Sequence, residues 1–220
     1  MTSKFKEVTA SKSSLSMRKL LYGVGVNDAW YNVTCTFNGK VEKCPYYERW
    51  QSMLSRCYSL HYLSRKPTYK GCSVIDEWKV FSNFRKWMEK QDWFGKHLDK
   101  DLLVVGNKVY SPSTCVFISL SLNNLLLDSK NSRGKYPQGV YWNKGNSKYM
   151  ARCYNKGRQE FLGYFSCVKQ AEIAYCKKKS EVILTESACL PEDQSNLQEA
   201  LAERVVTLTD RVGYLTLESQ

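Results

Sequence analysis

The sequence lacks the long apolar stretches that secreted and membrane proteins carry. Its N-terminus is polar and rich in serine and lysine, without the apolar run of about 7–15 residues that an export signal requires. No later segment approaches the roughly 20 consecutive apolar residues of a membrane-spanning helix. We therefore expect a cytoplasmic protein that has no membrane partner.

Histidine is scarce, and the cysteines lack the spacing of a metal site. The two histidines, His61 and His97, stand in no paired ligand arrangement, and no Cys-x-x-Cys occurs, so we expect no zinc. The nine cysteines are an odd number, and several have core-like neighbours such as Phe117 and Phe165. This pattern favours reduced, buried thiols over a disulfide scaffold.

Acidic residues are outnumbered by basic ones. The chain has 33 Lys and Arg against 21 Asp and Glu, a formal net charge of +12. Such an excess favours a polyanionic partner, because each neutralised phosphate releases condensed counterions. The alternative is a surface charged only for solubility. Residues 133–180 concentrate the excess, with eleven basic and two acidic side chains, a net +9.

The first half of the sequence predicts a mixed α+β module. Residues 1–20 are predicted to be a flexible basic leader. Residues 22–45 alternate apolar and polar positions around Asn38-Gly39, which predicts a β-hairpin. Residues 45–60 have the periodicity of an amphipathic helix. Its predicted buried positions are Trp50, Met53, Leu54 and Cys57.

A second helix is predicted over 76–90, with Asp76 as its N-cap. Its aromatic stripe could stack on nucleobases, but a buried helix face is the better interpretation of such a stripe. The stripe consists of Trp78, Phe81, Phe84, Trp87 and Met88. Residues 98–127 fit two short strands, a loop and a helix, which completes a first module over 21–127.

The second half predicts a linker, a small sheet and a helical tail. Residues 128–138 are polar and contain Gly and Pro, as expected of a linker. Residues 139–185 contain three strand-like runs, separated by turns at Gly145 and Gly157, and then a helix that starts near Ser166. Residues 186–220 form an acidic, helix-prone tail that either packs on the body or mediates self-association.

Residues 45–127 resemble the HNH (His-Me finger) proteins that phages encode and that are related to homing endonucleases. The resemblance begins in Trp50, Met53, Arg56, Cys57 and Tyr58, and continues through Tyr69, Gly71, Cys72, Val74 and the aromatic stripe. The finger segment itself matches at Leu98, Asp99, Lys100, Gly106, Asn107, Tyr110, Pro112, Thr114, Cys115 and Phe117. The resemblance implies a ββα finger and places the chain in the cytoplasm of a bacterial host.

Residues 139–185 resemble the plant APETALA (ethylene-response) DNA-binding domain. The matching residues are Gly139, Val140, Lys148, Tyr149, Ala151, the run Phe161–Phe165, Ala171, Ala174 and Tyr175. That family lays a three-stranded antiparallel sheet in the major groove, with one helix packed behind it. The resemblance therefore implies double-stranded DNA as the partner.

In HNH fingers a histidine accepts a proton from water, and a divalent metal stabilises charge on the phosphate. By position, the resemblance implies that Asp99 is a metal ligand and that Lys100 occupies the place of the general base. Asn123 or Asn124 would supply a second ligand from the helix. Thr114 falls where an orienting Asn commonly stands.

Lysine departs from the family at the position of the base. A solvent-facing lysine has an unperturbed pKa of about 10.4 and is protonated at pH 7, so in that setting Lys100 accepts no proton. Burial would lower this pKa, whereas the neighbouring Asp99 and Asp101 would raise it. His97 lies three residues away on a strand and so faces the opposite side. Asp99 and Asp101 share one face, and with Asn123 they could bind Mg²⁺ without histidine.

Three interpretations of the finger remain open. It is an inactive finger kept for folding or DNA positioning, a metal-dependent nuclease with altered chemistry, or a turn-rich hairpin. In the last case Asp99, Lys100 and Asp101 form surface ion pairs worth about 0–1 kcal/mol each.

The period of two along the second strand of the predicted sheet defines two faces. Tyr149, Ala151 and Cys153 are predicted to cover the helix. Lys148, Met150, Arg152 and Tyr154 are predicted to face outward. The positions that match the reading face of the plant domain are Tyr141, Asn143, Arg152, Tyr154, Gln159 and Phe161. The side chains expected to contact phosphate are Lys144, Lys148, Arg152, Lys156 and Arg158.

Tyrosine and asparagine replace several groove-reading arginines of the plant domain. At Tyr141, Asn143 and Tyr154 fewer bidentate guanine contacts are available, so we expect modest or altered specificity. The alternative is an exposed basic sheet that docks in no groove. The Lys177–Lys179 run is interpreted as a solvated helix end.

The sequence as a whole predicts a phage-type DNA-binding protein that uses its C-terminal sheet. A second hypothesis is a catalytically inactive phage protein that binds or inhibits a host protein. The acidic tail and the altered reading face favour this second hypothesis.

Overall fold

The structure is a computed structural model that describes residues 5–37, 39–128 and 134–218. The chain is of the mixed α+β class, as the sequence predicts. Its contacts divide it into two compact units, Met1–Ile118 and Ser119–Gln220. In the described part of the chain, no helix is long and apolar enough to cross a membrane.

The first unit consists of short helices and three two-stranded sheets. The helices are α1 (Lys12–Ser16), α2 (Pro45–Tyr58), α3 (Leu60–Arg65), α4 (Asp76–Lys79) and α5 (Phe81–Met88), with a 3₁₀ turn at Pro67–Tyr69. The strands are β1 (Thr34–Phe37), β2 (Lys40–Lys43), β3 (Ser73–Val74), β4 (His97–Asp99), β5 (Val109–Tyr110) and β6 (Val116–Ile118). β1–β2 and β4–β6 pair antiparallel, whereas β3–β5 is parallel.

The predicted N-terminal hairpin is present as β1 and β2, although Asn38 lies outside the described residues. Residues 1–4 of the predicted leader also lie outside them. Within the remainder of that leader, α1 is capped by the Ser11 side chain, which accepts from the N–H of Ser14. The Arg18 guanidinium donates to the carbonyl oxygens of Asn27, Ala29 and Tyr31, so this segment is held against the first unit.

The apolar stripes of α2 and α5 form the core of the first unit. Trp50, Met53, Leu54 and Cys57 of α2 are buried, as are Trp78, Phe81, Phe84 and Met88. The Trp50 indole N–H, which burial would otherwise leave without an acceptor, donates to the Trp78 carbonyl at 2.7 Å. The aromatic stripe is therefore core, as predicted.

The helix predicted over 76–90 is broken at Val80. Val80 has an extended backbone, because Val26 pairs with the chain there: its N–H donates to the Lys79 carbonyl, and its carbonyl accepts from Phe81. The prediction that Asp76 is the N-cap is wrong. Ile75 holds that position, and Asp76 lies in the first turn with an ion pair to Lys79 at 2.6 Å.

The second unit consists of a three-stranded sheet that packs on a long helix, and of a second long helix that packs on the first. Its helices are α6 (Leu120–Leu126), α7 (Val168–Ala188) and α8 (Ser195–Leu217), with a 3₁₀ turn at Glu192–Gln194. Its strands β7 (Val140–Asn143), β8 (Lys148–Asn155) and β9 (Arg158–Phe165) form an antiparallel sheet in that order. α7 packs against the sheet on one side and against α8 on another. Residues 129–133 of the predicted linker lie outside the described residues.

The C-terminal tail folds back along α7. Leu197, Leu201 and Leu215 of α8 are buried, and the Arg211 guanidinium binds both carboxylate oxygens of Glu172 on α7, at 2.8 and 3.2 Å. Of the two roles considered for the tail, packing on the body is the one that the structure contains.

Six of the nine cysteines are buried, and all nine are free thiols, as the composition favours. Cys167 and Cys189 are exposed, and Cys35 is half-buried. Burial raises the pKa of the Cys57 and Cys115 thiols to about 12, so both stay protonated at neutral pH.

Candidate nucleic-acid interface

The side chains of β8 alternate between an inner face of the sheet, which packs on α7, and an outer face. Ala151 and Cys153 are buried, and Ala151 packs with Ala171 of α7, while Lys148 and Arg152 are exposed. This alternation is the one that the sequence predicts. The ladder to β9 shifts register between Ala151 and Arg152, and such a bulge increases the local twist of the strand.

The outer face carries aromatic as well as basic side chains. Across the strands, Tyr141 pairs with Met150 and Met150 with Tyr164, so these three side chains share the face with Arg152 and Phe161. The Phe161 and Tyr164 rings meet edge-to-face with their centroids 5.0 Å apart. Exposed aromatics beside cations are the side chains that proteins use to contact nucleobases and phosphates together.

In the part of the chain that the structure describes, the cations of this face have no carboxylate partners. Among the described residues, no Asp or Glu oxygen lies within ion-pairing distance of five exposed side chains, namely Lys144, Lys148, Arg152, Lys156 and Arg158. The acidic residues of the same segment are neutralised elsewhere. Glu160 pairs with Lys178 of α7 at 3.2 Å, and Glu172 pairs with Arg211 of α8.

The turn between β8 and β9 presents two of these cations at the end of the sheet. Lys156 and Gly157 both have positive φ, 45° and 82°, as a two-residue type I′ turn requires. Glycine accepts this conformation freely, whereas Lys156 adopts it with some strain. The turn fixes Lys156 and Arg158 at the tip of the hairpin.

Asn143 has a local role besides any contact with DNA. Its side-chain oxygen accepts from the N–H of Asn146 at 2.9 Å and so closes the turn between β7 and β8. The sequence predicts the turn at Gly145 and places Asn143 on the reading face, but it does not predict that the Asn143 side chain closes the turn. Asparagine side chains commonly bond to the backbone in this way, and that tendency was the available signal.

A groove of about 840 Å³ runs beside β7. Residues 134–139, which lead into β7, form one wall, and outer-face residues form the other. The groove is lined by cations at Lys135, Lys144 and Arg152, and by Tyr141, Tyr154 and Gln159. Of the side chains predicted to contact DNA, Tyr141, Lys144, Arg152 and Tyr154 are thus brought together, whereas Lys148, Lys156 and Arg158 lie elsewhere on the sheet.

Lys179 is a buried cation next to this groove, which corrects its interpretation as part of a solvated helix end. It is 7% exposed, its ammonium donates to the Gln138 side-chain oxygen at 3.0 Å, and it lies over the Tyr175 ring. Burial lowers its pKa. Gln138 in turn donates to the Leu127 carbonyl at 2.6 Å, so Lys179 fixes the wall of the groove.

In the first unit, the polar residues of the finger hold its backbone. One carboxylate oxygen of Asp99 accepts from the N–H groups of Asp101 and Leu102, at 3.0 and 2.8 Å. This turn ends β4 at Asp99, so Asp99 and Asp101 approach through a turn and not through shared strand periodicity. Burial first, and then the charge of Asp101, raise the pKa of Asp99.

Lys100 is buried in the same turn. Its ammonium donates to the Asn107 carbonyl at 3.0 Å and pairs with Asp101 at 3.3 Å, beside the rings of Tyr69 and Tyr110. Asn107 returns a bond to the Lys100 carbonyl at 2.6 Å. These reciprocal contacts give Lys100 a structural position in the turn.

The donors that the resemblance implies for Mg²⁺ make contacts that do not favour a metal site. The Lys100 ammonium already contacts Asp101 and would repel a divalent cation there, and Asp99 is engaged by two backbone N–H groups. Asn123 lies on α6, which belongs to the second unit. Within the described ranges, no group of three or more His, Cys, Asp or Glu side chains converges as metal ligands do. Metal binding at Asp99 stays a prediction that these contacts do not favour.

Comparisons with protein-family models, with curated proteins and with solved structures return no match to this chain. The HNH and APETALA resemblances therefore rest on the residues quoted above.

Proposed function

We propose that the chain binds double-stranded DNA through the outer face of its three-stranded sheet. The observation that carries this proposal is the set of exposed cations without carboxylate partners in the described chain. Glu160 and Glu172 are paired with cations on the helices, so the negative charge of this segment lies away from the outer face. A surface charged only for solubility would need no such separation of charge.

Contacts with phosphates should contribute most of the binding free energy, and contacts with bases should discriminate only moderately between sequences. Arg152 stands at the centre of the face, and a bidentate arginine–guanine contact discriminates by about 1–3 kcal/mol. Around Arg152 lie aromatic and amide side chains, such as Tyr141 and Gln159. These side chains support contacts of moderate specificity, whereas the lysines contact phosphate and carry no sequence information.

The test is a titration of a fluorescent duplex with the full chain at several salt concentrations. Each phosphate contact lowers the slope of log K against log salt by about 0.9, so five contacts predict binding that is roughly 500-fold weaker at 200 mM than at 50 mM salt. Duplexes of unrelated sequence should differ in affinity by no more than about 150-fold, which is the upper limit for one discriminating arginine. Absence of binding in dilute buffer would overturn the proposal.

The same titration bears on the second hypothesis, a protein that binds or inhibits a host protein. An apolar interface responds little to salt, so a partner captured with salt-independent affinity would favour that hypothesis. The acidic tail is weaker support for it than the sequence indicates, because α8 packs on α7. DNA cleavage is not part of the proposal, because Asp99 and Lys100 are engaged in holding their own turn.

A further inference from the structure

The groove beside β7 differs in shape from the rest of the outer face. It is a concave site of about 840 Å³, enclosed between residues 134–139, the C-terminal end of α6 and the outer-face residues of β7–β9. Sites of about 300–1,000 Å³ enclose ligands of the size of a single small molecule. A duplex can contact the exposed parts of side chains such as Tyr141 and Arg152 but is too wide to enter a recess of this size, so the interior of the groove is left to a smaller group.

Three kinds of side chain line the groove, namely cations, an aromatic ring and an amide. Lys135, Lys144 and Arg152 supply positive charge, and Tyr141 is 49% exposed and offers an aromatic surface. Gln159 adds an exposed amide whose side chain makes no hydrogen bond with any described residue. Cations bind phosphates, a ring stacks on a base of any sequence, and an amide bonds to a base edge.

The wall of the groove is fixed in place before any ligand arrives. Gly139 approaches the Tyr175 ring so closely that a Cβ atom would lie 2.1 Å from it. Gln138 bridges the buried Lys179 and the Leu127 carbonyl, at 3.0 and 2.6 Å. A wall held by these contacts loses less conformational entropy on binding than an unattached segment would, and such preorganisation favours affinity for a small ligand.

We propose that this groove binds an unpaired base of a DNA strand, with the flanking phosphates on Lys135, Lys144 and Arg152. This inference rests on the DNA binding proposed above and adds a preference for DNA that contains a single-stranded or extruded nucleotide. Extrusion of a base from an intact duplex costs unpairing and unstacking free energy. A bulged nucleotide is already unpaired, so its extrusion costs less. The protein should therefore bind a duplex with a one-nucleotide bulge more tightly than the fully paired duplex.

The experiment measures the ratio of the affinities for these two duplexes by fluorescence anisotropy, with the full chain at constant salt. Stacking of one base on an aromatic side chain corresponds to about 5- to 150-fold in affinity, so the wild-type ratio should fall in that range. Tyr141→Ala should reduce the ratio towards one, and Tyr141→Phe, which keeps the ring, should retain most of it. Tyr164→Ala is the matched control, because Tyr164 is a similarly exposed outer-face tyrosine, at 43%, that does not line the groove.

The outcomes separate this inference from the function on which it rests. Binding of both duplexes with a ratio near one would overturn the groove assignment and leave duplex binding intact. A ratio above one that is insensitive to Tyr141→Ala, or equally sensitive to Tyr164→Ala, would also overturn it. Failure to bind either duplex would remove the proposed function itself. A circular dichroism spectrum and melting temperature of each variant would verify that it folds.

Discussion

The backbone N–H of Arg152 donates to the carbonyl oxygen of Gly139 at 2.8 Å. This bond joins the central cation of the outer face to the residue where the chain enters the sheet. Gly139 has φ +75°, and a Cβ atom there would lie 2.1 Å from the Tyr175 ring and 2.6 Å from the Arg152 carbonyl oxygen. The position of Arg152 therefore depends on a glycine that no other residue can replace without displacing its neighbours.

We expect Gly139→Ala to lower the free energy of unfolding by about 3–5 kcal/mol, because positive-φ strain and overpacking add. Gly157→Ala is the matched control. Its φ is +82°, but nothing described lies closer than 3.8 Å to the added Cβ, so strain alone should cost about 1–2 kcal/mol. Urea unfolding of both variants measures the difference, and equal losses would contradict the proposed close approach.

Arg152→Ala should weaken duplex binding and reduce its salt dependence. Loss of one phosphate contact lowers the magnitude of the log–log salt slope by about 0.9. Lys177→Ala removes the same charge from an exposed position on α7, behind the sheet, and should leave the slope unchanged. If the two variants behave alike, net charge and not the outer face governs binding.

Local patterns predicted the parts of the fold whose causes are local. The stripe of α5 and the alternation of β8 follow from helix and strand periods, so Phe84 and Ala151 could be placed in cores from the sequence alone. The break at Val80 could not, because it arises from pairing with Val26, far away in the chain. Such long-range pairing leaves no local signal.

The sequence predicts several residues of the candidate site but not the groove that they line. Periodicity and resemblance identified Tyr141, Lys144 and Arg152, yet the groove also depends on the wall that Gln138 and Lys179 hold together. Lys179 occurs at the spacing of the buried Ala171 and Tyr175, a pattern that could have predicted its burial. Its basic neighbours Lys177 and Lys178 obscured that signal.

The ionised carboxylate of Asp99 should lower the free energy of unfolding. The pKa of Asp99 is raised in the folded state, so the folded chain holds a proton more tightly than the unfolded chain does. The resulting penalty is absent below the ordinary pKa of about 3.9 and grows as the pH rises through the folded-state pKa. Asp99→Asn keeps the oxygen that accepts from Asp101 and Leu102, and should be more stable than wild type at pH 7 but not at pH 3.

Melting temperatures across this pH range test the Asp99 prediction. Asp99→Ala is the comparison variant, since it removes the acceptor of both backbone bonds. It should lose about 1–3 kcal/mol at pH 3 and less at pH 7, where it also removes the penalised charge. If Asp99→Asn were the less stable protein at pH 7, the carboxylate would be stabilising and the predicted direction would be wrong.

Mg²⁺ should leave the melting temperature unchanged beyond the effect of ionic strength. A ligand that binds only the folded state raises the melting temperature progressively with its concentration relative to Kd. The Lys100 side chain, which pairs with Asp101, disfavours a divalent cation there. CaCl₂ and NaCl at matched ionic strength are the controls. A rise with Mg²⁺ that Asp99→Ala abolishes would establish a metal site, and plasmid nicking with Mg²⁺ or Mn²⁺ should then be measured for both proteins.

Two thiols should react rapidly with a disulfide reagent in the native protein, those of Cys167 and Cys189. Burial raises the pKa of Cys153 and Cys176 to about 11, so their thiolates are scarce at pH 8 as well as shielded. Denaturant should release all nine thiols. Cys167→Ser and Cys189→Ser should each remove one rapid equivalent. A rapid phase that survives both substitutions together with Cys35→Ser, which removes the half-buried thiol, would contradict the burial of the remaining six thiols.

The position of α7 determines where this polypeptide can be cut. One side of that helix packs on the sheet and another on α8, and Ile183 is fully buried within it. A fragment truncated at residue 185 would keep every strand and lose α8. The side of α7 that packs on α8 would then be exposed to solvent, and exposed apolar surface promotes aggregation. Recombinant dissection of the second unit should therefore retain α8, and a fragment that ends at residue 185 should be recovered mostly as aggregate.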